Sequence, residues 1–183
     1  MAGRLFTVVG PSGAGKDTVL NAALLRCPRV LRIRRVITRA SDAGGESIDG
    51  VSPAEFQTML EQGEFALWWE AHNTRYGIPV AMDQALAAGQ DVVFNGSRAA
   101  MPEILRRYPQ VRVLSLSVTP DVLRQRLIER GRETPSEIEA RLTRAGLAFE
   151  TPAHVIEIDN SGPLDHAVER MVAAFTPAAE PVR

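Results

Sequence analysis

Residues 10–18 read Gly10-Pro11-Ser12-Gly13-Ala14-Gly15-Lys16-Asp17-Thr18, which nearly fits the phosphate-loop pattern G-x-x-x-x-G-K-[ST]. In such a loop successive backbone N–H groups wrap phosphate oxygens, and the helix that follows presents its positive end. The lysine then reaches the β- and γ-phosphates of a nucleotide. Of the 21 basic residues in this chain, Lys16 is the single lysine and the rest are arginine. A compact ammonium fits between phosphates where a planar guanidinium fits poorly. The loop departs from the pattern at Asp17, where a Ser or Thr hydroxyl normally touches Mg²⁺. A carboxylate is also a hard oxygen ligand, so Asp17 can hold Mg²⁺ directly or through water. It can equally serve only to complement the helix N-terminus. Both roles stay open, and Thr18 offers a hydroxyl one residue late.

Three other groups of residues could do chemistry. The run Asp91-Val92-Val93-Phe94-Asn95-Gly96-Ser97-Arg98 ends a strand in an amide rather than in the metal-organising acid common in such enzymes. Asn95, Ser97 and Arg98 are neutral and cationic contacts, and they favour an anionic, polyhydroxylated acceptor. The second group is Arg124, Arg126, Arg130, Arg132, Arg141 and Arg144. Phosphoryl transfer asks the protein mainly to stabilise charge on equatorial oxygens and to exclude water. Arginines on a lid do both, and Arg130, Arg132 and Arg141 are the preferred ones. Each could instead be a solvated surface arginine paired with Glu129, Glu133, Glu137 or Glu139. The third group, Glu70 to Gly77, reads as a polar loop in which Tyr76 can donate to a phosphate and Glu70 can accept from sugar hydroxyls. Arg39 is a further candidate for the acceptor phosphate. Arg34 and Arg35 read as surface, and so does His72.

These residues need elements to place them. Leu5 to Val9 is a β-rich run ending at the loop, and helix and strand signals alternate from there to Phe175. Strands are expected near 5–9, 36–38, 67–69, 91–95, 111–118 and 155–158. Helices are expected near 18–25, from Pro53, and over 80–88, 101–108, 120–131, 134–150 and 164–175. Ser52-Pro53-Ala54-Glu55 and Thr134-Pro135-Ser136-Glu137 both carry a cap, a proline and a glutamate in the order that starts a helix. The alternation predicts an α/β three-layer sandwich around a parallel sheet. Its ligands should lie at the carboxyl ends of the strands, where Gly10 and Asn95 fall. One kinase domain over 1–175 is expected, with an acceptor-binding insert near 39–79, a lid near 119–150 and a loose tail over 176–183.

Bulk properties narrow the class. A net charge of −1 and a pI of 6.3 give no overall basic field for nucleic acid. No charged-then-apolar leader pattern opens the chain, and no apolar run approaches the ~20 residues needed to span a bilayer. With the lone Cys27, these features predict a cytoplasmic protein with small-molecule partners, as a monomer or a homodimer.

The phosphate loop, Thr38-Arg39, Gly63-Glu64-Phe65, Tyr76-Gly77 and Arg130-Gly131 together resemble the guanylate kinase family in order and spacing. The guanine-reading positions differ. Leu67 stands where that family has Glu, Ile78 where it has Ser or Thr, and Asp42 where it has a second phosphate-binding Arg. The family's Asp-containing strand end is replaced by Phe94-Asn95-Gly96. A closer resemblance is to the ribose 1,5-bisphosphate phosphokinases, the guanylate-kinase relatives of phosphonate catabolism. It rests on Gly15-Lys16-Asp17, Ile37-Thr38-Arg39, Asn95-Gly96-Ser97-Arg98-Ala99, Arg130-Gly131-Arg132-Glu133 and Ser136-Glu137-Ile138, and it runs from about residue 5 to 170. It implies a P-loop kinase that uses ATP and Mg²⁺ to make 5-phosphoribosyl 1-diphosphate. It also implies an adenine edge near Asp159 and Asn160. A nucleoside monophosphate kinase of guanylate type is the alternative enzyme. A non-catalytic module that keeps a kinase-like fold is the alternative of another class.

Overall fold

β1 (Leu5–Val9) is buried at all five positions, the mark of a strand covered on both faces. Its parallel neighbour β7 (Val92–Asn95) is buried throughout as well, in register from Leu5↔Val92 to Val8↔Asn95. On the far side of β7 runs β2 (Leu31–Ile33), also parallel. With β8 (Arg112–Ser117) and β9 (Val155–Asp159) these form a five-stranded sheet of order β2-β7-β1-β8-β9. The computed structural model describes residues 2–38, 48–71, 73–146 and 155–176.

Seven helices are set among the strands over the described residues: α1 (Lys16–Arg26), α2 (Pro53–Glu61), α3 (Ala81–Ala87), α4 (Met101–Arg107), α5 (Pro120–Arg130), α6 (Pro135–Ala145) and α7 (Leu164–Phe175). Both expected helix starts form. Glu55 N–H donates to Ser52 Oγ at 3.2 Å while Ser52 N–H donates to the Glu55 carboxylate at 2.7 Å. Thr134 and Glu137 repeat the reciprocal pair ahead of α6. Of the long helix expected over 134–150, Pro135 to Ala145 is helical, and 147–150 lie outside the described residues.

The stretch near 39–79 departs from simple alternation. A second sheet of order β4-β3-β6-β5 is built from β3 (Arg35–Ile37), β4 (Ile48–Gly50), β5 (Phe65–Ala71) and β6 (Thr74–Pro79). β5 and β6 form an antiparallel hairpin, so the segment read as a polar loop from Glu70 to Gly77 is mostly strand. In a hairpin with one covered face, polar and apolar side chains alternate, and that alternation hides the strand among Glu, His, Asn, Thr and Arg. Asn73 takes the left-handed turn position (φ 56), which asparagine tolerates. β2 and β4 are two further strands, each only three residues long and without a sequence signal of their own.

The described residues fall into two compact units. One comprises 2–9 and 29–113; the other comprises 10–28, 114–146 and 155–176. The first holds the second sheet and the end of β7. The second holds the phosphate loop and helices α1, α5, α6 and α7.

Candidate active site

The phosphate loop enters α1 at Gly15, whose φ of 84° is left-handed. A side chain there would also place its Cβ 2.6 Å from Asn160 Nδ2. Gly10 is similarly constrained: with φ 149° its Cβ would fall 2.5 Å from the Leu116 carbonyl oxygen. Gly13 packs its bare backbone on Leu123 and Leu127, to which a Cβ would approach within 2.8 and 3.1 Å. Lys16 opens α1, and its Nζ donates to the carbonyls of Gly10 and Pro11, both at 3.0 Å. The ammonium therefore lies over its own loop. Asp17, partly buried, and Thr18, exposed, occupy the first turn of α1, and Pro11, Ser12 and Ala14 complete the loop.

Asn160 braces this loop from behind. It is 3% exposed, and its side-chain amide donates to the Ala14 carbonyl at 2.7 Å. Its backbone N–H donates to Ser117 O at 2.9 Å, and its own carbonyl accepts from Arg126 Nη2 at 2.8 Å. Asp159 is exposed and accepts from the Ser161 hydroxyl and N–H; these bonds hold its carboxyl below the usual range.

The arginines divide by partner. Arg124 pairs with Glu139, and Arg144 donates to its own helix at Ala140 O. Arg132 is exposed. Arg130 and Arg141 converge on Glu133, with N–O distances of 3.0 and 3.1 Å. Arg141 Nη1 also donates to Ser12 Oγ at 2.6 Å, placing a guanidinium on the phosphate loop. Buried Leu123, Leu127 and Ile138, with Leu142 and Ala145 against them, join α5 to α6 beneath these charges. α5 ends at Gly131, with φ 64°, at the break expected there.

The acceptor candidates lie in the other unit. Asn95 ends β7 at 4% exposure, and Ser97 Oγ accepts from Ala99 N–H to cap a single 3₁₀ turn over Arg98–Ala100. Arg98 is half-buried, and burial lowers its pKa below that of a free guanidinium. Tyr76 stacks on Trp69 with ring centroids 5.4 Å apart. The Arg35 guanidinium carbon lies 5.1 Å from the Tyr76 ring centroid. Arg35 is only 8% exposed, contrary to the surface reading, because β3 is covered on both faces and all three of its residues are buried, while Arg34 just before it is exposed. Glu70 is exposed, 3.8 Å from Arg75 across the hairpin. Thr38 is tied to the same hairpin, with Arg75 N–H donating to its hydroxyl at 2.9 Å. Arg39, His72 and Asp42 lie outside the described residues. Leu67 and Ile78, at the two guanine-reading positions, are cross-strand partners, 3% and 0% exposed. Neither presents a polar atom to a base.

Three residues of these sites have weak sequence signals. Arg35 shows only as a charge inside a strand run, Glu133 as an acid three after Arg130, and Asn160 as a polar residue after a strand.

No family model matches the chain. A ribose 1,5-bisphosphate phosphokinase PhnN from Pseudomonas fluorescens (strain SBW25) is 52% identical over 182 residues, covering 96% of each chain. One of the same name from Rhizobium etli (strain CIAT 652) is 44% identical over 174 residues, covering 93% of this chain and 88% of that one. Among solved structures, guanylate kinase from Anaplasma phagocytophilum aligns with a TM-score of 0.68 at 17% identity, over 95% of this chain and 85% of that one. A gluconokinase from Sinorhizobium meliloti 1021 aligns at 0.54 and 19%, over 94% and 91%. These structures share the P-loop kinase fold of a central parallel sheet flanked by helices. With 52% identity over 96% of its length, the chain belongs to the ribose 1,5-bisphosphate phosphokinase family.

Proposed function

We propose that the chain transfers the γ-phosphoryl group of ATP to ribose 1,5-bisphosphate, giving ADP and 5-phosphoribosyl 1-diphosphate in phosphonate catabolism. The observation that carries this reading is the buried apolar pair Leu67 and Ile78, in a chain that keeps an intact loop sequence at Gly15-Lys16. The donor machinery is kept, and the positions that would read a purine are hydrocarbon. In the reaction, an oxygen of the acceptor's 1-phosphate forms a bond to the γ-phosphorus. The bond from that phosphorus to the bridging oxygen breaks, and ADP leaves with the electron pair. The acceptor is ionised at neutral pH, so no general base is needed.

Each side chain then has a role. The loop N–H groups from Gly10 to Gly15 take the phosphates, and Lys16 exchanges its two carbonyl partners for phosphate oxygens. Asn160 keeps the loop in shape, and Asp159 with Asn160 forms the adenine edge. Arg130, Arg132 and Arg141 stabilise charge on the transferring group. Arg39, Tyr76, Asn95, Ser97 and Arg98 bind the acceptor phosphates, and Glu70 accepts from sugar hydroxyls. The donor set fits Mg²⁺. This ion takes one or two carboxylates and completes its octahedron with phosphate oxygens and water, and Asp17 supplies a carboxylate at the loop while no cluster of three His, Cys, Asp or Glu stands among the described residues. Asp17 would hold the ion, whose charge would offset that of the nucleotide phosphates. The insert near 39–79 carries the acceptor contacts and the region near 119–150 serves as the lid. The reading places this small-molecule work in the cytoplasm, by a monomer or homodimer; no helix among the described residues is long and apolar enough to cross a membrane.

An acceptor panel with ATP tests the reading. ADP release is expected with ribose 1,5-bisphosphate and at background level with GMP. Robust turnover of GMP with none of the sugar bisphosphate overturns it.

A further inference from the structure

Glu133 sits between the exposed ends of two helices, yet its side chain is only 5% exposed. Its Oε1 accepts from Arg130 Nη2 at 3.0 Å and lies 3.1 Å from Arg141 Nη2. Arg141 Nη1 continues to Ser12 Oγ at 2.6 Å. One carboxylate thus collects a guanidinium from the end of α5 and another from α6, and the second reaches the phosphate loop. Two guanidiniums repel when brought together, and the acid between them makes the pairing possible while leaving one net positive charge. Burying an acid is expensive, so an ion pair of this kind is weak evidence for stability. The α5–α6 contact has its own apolar core in Leu123, Leu127 and Ile138. Glu133 Oε2, moreover, is buried without a hydrogen-bond partner. An incompletely satisfied buried carboxylate beside an apolar core that already joins the helices calls for a reason other than stability.

We propose that Glu133 is a positioning residue: it sets Arg130 and Arg141 side by side at the phosphate loop, ready for the transferring phosphoryl group. This rests on the phosphotransferase reading above. Glu133 touches no reacting atom in this scheme and acts through the two arginines. A misplaced catalytic group loses rate more than it loses ground-state affinity.

The test is a mutant cycle in steady-state kinetics with ATP and ribose 1,5-bisphosphate. Glu133→Gln keeps the shape and removes the charge. We expect kcat to fall about 10- to 100-fold, with the KM for ATP within about threefold of the parent. In the Arg130→Ala/Arg141→Ala background the same change should have no further effect, because residues that act as a unit are non-additive. An undiminished kcat in folded Glu133→Gln overturns the proposal, and so does an equal fall with and without the arginines. A merely structural acid would lower the unfolding midpoint and leave the kcat of folded protein unchanged. If Glu133→Gln does not fold, Glu133→Asp goes through the same cycle under the same criteria. If the wild-type protein binds ATP but does not turn over the sugar bisphosphate, the functional reading has failed instead. The cycle is then run on whichever acceptor the panel identifies.

Discussion

Replacing Asn160 by alanine removes the side-chain amide that donates to the Ala14 carbonyl. Ala14 is 0% exposed, so its oxygen would be left without a partner and without water. Leaving a buried acceptor unmade costs about 1–3 kcal/mol. Part of this is offset, because Asn160 Oδ1 is itself buried and unpartnered, and the mutation removes it too. We expect a net loss of about 1–2 kcal/mol, or roughly 2–8 °C in Tm for a domain of this length. Ser161 is the control. Its hydroxyl accepts from Thr119 N–H at 2.9 Å and donates to Asp159, both exposed partners that water can serve instead, and Ser161→Ala should stay within about 0.5 kcal/mol. Both variants would be compared by thermal unfolding and by the KM for ATP, which should rise only in Asn160→Ala as the loop loses its brace. Equal destabilisation by the two variants, or an unchanged Tm and KM in Asn160→Ala, would refute the assignment of Asn160 as the loop's support.

Lys16→Arg keeps the charge but replaces an ammonium that fits between two carbonyls at 3.0 Å, and transfer should fall about 100-fold or more; near-normal turnover would show the single lysine to be chance. Asp17→Asn should raise the Mg²⁺ concentration for half-maximal rate, and an unchanged Mg²⁺ titration would leave Asp17 only its electrostatic part at the helix N-terminus. In the alkaline range, burial and a hydrogen bond donated to Asp83 push the Tyr108 phenol up to about 12. The folded-state value lies above the unfolded ~10, so this contribution is complete below pH ~10 and is lost as pH rises through about 12. Urea titrations at stepped pH should show that loss in the parent and not in Tyr108→Phe, and parallel curves would contradict it.

Much of the fold is legible because its signals are local. β1 is a run of apolar residues ending at a glycine-rich turn, and Ser52 with Glu55 closes its cap within one helical turn. The phosphate loop is local too, since the backbone N–H groups that bind phosphate are consecutive. Of the β5–β6 hairpin only the apolar stretch 67–69 is legible, because the polar residues that follow fit a loop as well as they fit an exposed strand edge. Arg35 has no local signal of burial, because a ring it packs against, Tyr76, is forty-one residues away in sequence and sits diagonally across the β3–β6 ladder, opposite Ile37. Asn160 was visible as a polar residue near the nucleotide, but not as a brace, because its partner Ala14 is 146 residues distant. Glu133 showed only as one of several acids that could neutralise surface arginines. Its enclosure follows from the packing of α5 on α6.

A guanylate-kinase-like frame with hydrocarbon at Leu67 and Ile78 should phosphorylate a sugar bisphosphate and leave a nucleoside monophosphate untouched. ³¹P NMR of the purified protein with ATP, Mg²⁺ and equimolar ribose 1,5-bisphosphate and GMP tests it in a single tube. The sugar 1-phosphate resonance should give way to a diphosphate pair as ADP accumulates, with the GMP signal constant. Conversion of GMP to GDP with the sugar bisphosphate untouched would contradict it.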